Sequence, residues 1–76
     1  MIGELELNKE YYYKDIEEWF NNKSDNDPNM TWDILGNELI IGCNFMVIQE
    51  GSITYSFIMN GYNSKHGAYY KLIFKE

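Results

Sequence analysis

The chain has 76 residues, of which 45% are hydrophobic and 17% aromatic, with a single proline. That length excludes two independent cores, and that apolar content is enough to offset chain entropy, which excludes wholesale disorder. Twelve acids face six lysines and no arginine, and the formal charge of -6 opposes direct contact with a polyanion such as nucleic acid.

The opening Met1-Ile2-Gly3-Glu4-Leu5-Glu6 has neither a basic start nor an apolar run, and no stretch reaches the ~18 apolar residues of a membrane span. Leu5 and Leu7 alternate with Glu4 and Glu6, so residues 3–7 offer a short edge strand. Asn8 then suits a helix cap, with the helix running from about Lys9 to Asn22. At helical spacing Tyr12, Tyr13, Ile16, Trp19 and Phe20 share one arc, the stripe a helix buries against a sheet. Residues 21–29 hold no apolar side chain and the only proline, and read as a loop.

Beyond Asn29 the apolar period becomes two, and three turn signals divide the rest into four strands. A two-residue turn at Gly36-Asn37 sets Trp32 across from Ile41 and Ile34 across from Leu39. A three-residue loop at Glu50-Gly51-Ser52 pairs Phe45 with Phe57 and Val47 with Tyr55; a two-residue Gly51-Ser52 turn shifts the register by one. A wide loop from Asn60 to Gly67 brings Tyr70, Leu72 and Phe74 to the buried face. The expected fold is a single α+β domain over residues 1–76. In it, one amphipathic helix packs on a four-stranded antiparallel meander sheet, with the opening segment as an additional edge strand.

Most chemistries find no support in the residues. Asp25, Asp27 and Asn29 match three places of a calcium loop, but Met30 and Gly36 stand where glycine and a bidentate glutamate are needed. Cys43, the lone cysteine, excludes an internal disulfide or a multi-thiolate site and fits a reducing, cytoplasmic setting. It alternates in phase with Leu39, Ile41, Phe45 and Val47, as a core residue does, and the only histidine, His66, lies in a polar loop. Glu17 and Glu18 project about 100° apart on a helix and cannot converge as an acid/base pair. No catalytic residue, metal or cofactor is expected.

Charge is divided unevenly. Residues 1–38 carry ten acids and three lysines, and residues 39–76 carry two acids and three lysines. The acidic front half therefore supplies the first candidate surface, with Glu10, Asp15, Glu17 and Glu18 around Tyr11 on the outer helix face, and Asp25 and Asp27 in the loop beside it. Alternation supplies the second, an open sheet face with Ile40, Met46, Ile48, Ile58, Tyr69 and Ile73.

In size, acidity and lack of a catalytic constellation the chain resembles small acidic phage-encoded inhibitors, such as anti-CRISPR or anti-restriction proteins, and bacterial toxin-immunity proteins. The resemblance rests on overall character, and no motif carries it. The leading expectation is a non-enzymatic module that acts as a nucleic-acid mimic, its carboxylates taking the place of phosphates and occluding a basic surface of a nucleic-acid-handling protein. A second expectation is a homodimeric structural or regulatory subunit associating through the open sheet face. A third is a small enzyme or ligand-binding domain using Tyr55, Tyr62, His66 and Tyr70.

Overall fold

The computed structural model describes residues 2–36 and 44–76. Its elements run β1 (Glu10–Tyr12), α1 (Tyr13–Ser24), β2 (Thr31–Gly36), β3 (Asn44–Glu50), β4 (Ile53–Asn63) and β5 (Gly67–Lys75). The strands form one antiparallel sheet in the order β1-β5-β4-β3-β2. The four later strands are thus a meander, and the amino-terminal edge strand is present, but at Glu10–Tyr12 and not at residues 3–7.

That shift follows from tertiary pairing. Asn8 does not cap the helix: it takes a positive φ of 69°, a conformation asparagine tolerates, and its N–H donates to the Leu72 carbonyl at 2.7 Å. The Lys9 carbonyl accepts from Leu72 N–H at 3.1 Å, and Glu10, Tyr11 and Tyr12 then pair with Lys71, Tyr70 and Tyr69. Drawn into the sheet, residues 10–12 are lost to the helix, which starts at Tyr13 with extended Tyr12 as its N-cap and no side-chain cap. It runs on to Ser24, two residues past the expected end.

Ile16 and Trp19 are buried in the core with Met46, Ile48, Tyr55, Phe57, Tyr70 and Leu72, while Tyr13 and Phe20 pack against that cluster. The Trp19 ring meets Tyr55 edge-on at 5.3 Å, and Tyr13 and Phe20 both lie against Trp32. Trp19 Nε1 is buried with no hydrogen-bond partner. Such a donor costs about 1–3 kcal/mol, less than the roughly 4–6 kcal/mol contributed by burying about 150–250 Å² of ring.

Strand registers differ from the sequence expectation at each hairpin. Trp32 pairs with Ile48 and Ile34 with Met46, so neither lies across from Ile41 or Leu39; the expected Asn37 half of the first turn, with Leu39, Ile40, Ile41 and Cys43, lies outside the described residues. Glu50 pairs with Ile53, which makes Gly51-Ser52 a two-residue turn instead of the three-residue loop. Gly51 holds φ +59°, as the first central residue of a type II′ hairpin turn must. Met46 consequently faces Phe57, and Ile48 faces Tyr55, on the buried side. Met46 and Ile48, expected on the open face, are fully buried, whereas Phe45 is exposed.

The last connection is narrower than the expected wide loop. Asn63 pairs with Gly67, leaving Ser64, Lys65 and His66 between the strands, and Asn63 Oδ1 accepts from the amides of Lys65 and His66. Two register shifts interrupt the β4–β5 ladder. One places Phe57 opposite Leu72 but Ser56 opposite Phe74, so Phe74 turns away from the core that Tyr70 and Leu72 enter.

Candidate acidic docking groove

The direct passage from β1 into α1 gathers side chains from four elements, β1, α1, β4 and β5, at one corner. An open groove of about 600 Å³ beside β1 is lined by Glu10, Tyr11, Tyr12, Asp15, Asn63 and Tyr69. A second depression of about 430 Å³ shares Tyr11 and Asp15 with it and adds Glu4, Glu6 and Lys9. The two form an acidic surface around the start of the helix.

Its walls are held in place. The Tyr12 ring lies 5.1 Å from His66 and meets Tyr69 edge-on at 6.2 Å. Tyr69 in turn lies across Gly61, where any Cβ would collide with its ring, so the glycine in mid-strand provides the seat for this wall. The Glu10 carboxylate accepts from Asn60 Nδ2 at 2.9 Å. Lys9 pairs with Glu6 at 3.2 Å, Lys75 with Glu4 at 3.1 Å and Lys23 with Glu50 at 3.5 Å. Among the described residues, none of these lysines takes the carboxylates of Glu10, Asp15, Glu17 or Glu18.

Of the sequence-derived contact residues, Glu10 and Asp15 come together in the groove, and Glu17 and Glu18 are exposed further along the helix. Tyr11, expected as an exposed anchor, is buried: it pairs with Tyr70 in the sheet, and its hydroxyl accepts from Glu6 N–H at 2.7 Å. Asp25 and Asp27 do not join the groove. They follow the helix carboxyl end, about 15 Å from Asp15 at 1.5 Å per residue. Asp27 instead closes a local turn by accepting from Asn29 N–H at 3.1 Å.

The sequence places Tyr12 in the helix stripe and Tyr69 on the open sheet face; that they meet as the aromatic walls of the groove depends on the pairing of residues far apart in the chain. The one local signal was Gly61, since glycine inside a strand often marks a close approach. Tyr55, Tyr62, His66 and Tyr70, the set considered for a ligand site, are spread out: Tyr55 and Tyr62 stand toward opposite ends of β4, and Tyr55 and Tyr70 are buried. Among the described residues no three His, Cys, Asp or Glu side chains are grouped to hold a metal ion, and no helix is long and apolar enough to cross a membrane.

The perturbed phenols belong to the core. Burial, then the hydrogen bond donated to Glu50 at 3.1 Å and the negative charge of that carboxylate, push Tyr55 up from 10.0 to about 12. Burial, with the neighbouring Tyr13, raises Tyr70 also. A raised folded-state value favours the neutral phenol, so Tyr55 contributes stability that is fully present below pH 10 and is lost as pH rises toward 12. Alkaline melting curves should therefore show a steep fall across that window for the wild type and a shallower one for Tyr55→Phe. Parallel curves for the two proteins would refute this assignment.

Compared with models of known protein families, with curated proteins and with solved structures, the chain matches none.

Proposed function

We propose that this protein is a non-enzymatic binding module whose acidic corner docks on a basic surface of another protein, of the kind that otherwise holds nucleic acid, and occludes it. One observation carries the reading: Glu10 and Asp15 share an open groove with Tyr12 and Tyr69, and among the described residues neither carboxylate is in an ion pair with a lysine. A guanidinium entering such a groove can meet carboxylate oxygens with its N–H donors and lie against an aromatic ring. Exposed ion pairs contribute only about 0–1 kcal/mol each, so Glu17 and Glu18 act mainly on the encounter rate, and the tyrosine walls supply the anchoring contacts. An inhibitor of the phage anti-defence or toxin-immunity kind would use such a surface, and a cytoplasmic setting accords with it.

The test is retention of basic proteins from a lysate by the immobilised chain, with a DNA duplex as competitor. Proteins retained by the wild type should be displaced by DNA and by raised salt. They should be lost on Glu10→Gln/Asp15→Asn/Glu17→Gln/Glu18→Gln, with melting temperature unchanged. Retention that survives both the quadruple substitution and the competing duplex would refute the reading.

A further inference from the structure

The sheet face opposite the helix carries a contiguous apolar strip, and we infer that its occupant is a second copy of this chain. The registers put Phe45 opposite Ile58 and Val47 opposite Ser56, with Phe74 next to Ser56 on β5. Phe45, Ile73 and Phe74 are 38%, 43% and 44% exposed. Ile73 and Phe74 both appear here because the ladder skips one residue between Leu72 and Phe74, which turns Phe74 outward.

What commits the face to a second copy is the placement of its charges. Lys71 flanks the strip on β5 beside Ile58, and Asp33 flanks it on β2 beside Val47, so the two lie on opposite sides of the apolar residues. Neither makes an ion pair among the described residues, and Glu10, the neighbour of Lys71 in β1, accepts from Asn60 Nδ2 through one carboxylate oxygen. Consider two such faces related by a two-fold axis lying between the sheets and perpendicular to the line from Lys71 to Asp33. Each Lys71 then stands over the Asp33 of the other copy while the strips meet between them. An isologous interface must be self-complementary in this way. The inference does not rest on the acidic groove.

The experiment is sedimentation equilibrium of the full chain with Asp33→Lys, Lys71→Asp, the double exchange and Phe74→Ser, with circular dichroism to verify folding. The wild type should sediment as a concentration-dependent dimer. Each single exchange should weaken association by about tenfold or more, because each sets like charges face to face, and the double exchange should restore it. Asp33→Lys reduces the net negative charge and Lys71→Asp increases it, so a mere net-charge effect would move the two variants in opposite directions. Phe74→Ser should weaken association with the charges intact. A wild type that stays monomeric, single exchanges that leave the dimer unchanged, a double exchange that does not restore it, or a Phe74→Ser protein that dimerises as before would each overturn the inference.

Discussion

Met46→Lys should lose several kcal/mol of stability, whereas Phe45→Lys, one residue earlier on the same strand, should lose far less when both are compared at concentrations where the chain is monomeric. Met46 is fully buried between Ile34 and Phe57 on the core side of the sheet, and Phe45 faces outward opposite Ile58. A buried ammonium without a partner must be desolvated or deprotonated, at a cost of several kcal/mol. Domains of this size are stable by only about 5–15 kcal/mol, so that one change removes most of the margin. Chemical denaturation of the two variants decides the matter. Similar losses from both, or the reverse order, would mean that β3 presents its other face and that the two-residue Gly51-Ser52 turn is misassigned.

Leu5→Ala should cost about 2–5 kcal/mol, as much as a truncation in the middle of the helix. Residue 5 lies in neither helix nor strand, yet Leu5 is as fully buried as Ile16 and belongs to the same cluster. The backbone around it is held at several points. Lys75 Nζ donates to the Leu5 carbonyl at 2.9 Å and to Glu4 at 3.1 Å, Glu6 N–H donates to the Tyr11 hydroxyl, and Asn8 N–H donates to Leu72. With the segment tied down, the site cannot collapse freely around a smaller side chain, and the cavity term is retained. Leu7→Ala provides the control, since Leu7 is exposed and should change stability by less than about 0.5 kcal/mol. Equal small effects at both positions would show that the opening segment is not part of the core.

These two variants bear on the points where the sequence reading and the structure part. The helix stripe of Ile16, Trp19, Tyr13 and Phe20 is legible because helical spacing is a local property, and the later strands are legible as strands because turn signals bound short β-branched and aromatic runs. The start of the helix was not. Asn8 satisfies every local rule for a cap, but its N–H and the Lys9 carbonyl bond to Leu72 and residues 10–12 pair with β5, which lies far away in the chain. For the same reason Tyr11, placed by helical geometry among the surface acids, lies in the core, while Tyr12 and Tyr69 meet at the groove.

Composition, the unequal division of charge and the change of apolar period are enough to determine an acidic α+β chain with one helix and an antiparallel sheet, since each depends only on neighbours within a turn or a strand. Which face of β3 is buried is a different matter. Phe45, Met46, Val47 and Ile48 are all apolar, so alternation offers no preference, and one residue more or less in the Gly51-Ser52 turn exchanges the two faces. Only packing against the helix, Leu5 and the paired strands settles that choice. The same choice places Met46 and Ile48 in the core and leaves Phe45 outside, whereas the register shift between β4 and β5 turns Phe74 outward and the pairing of β1 with β5 brings Glu10, Asp15, Tyr12 and Tyr69 to one corner.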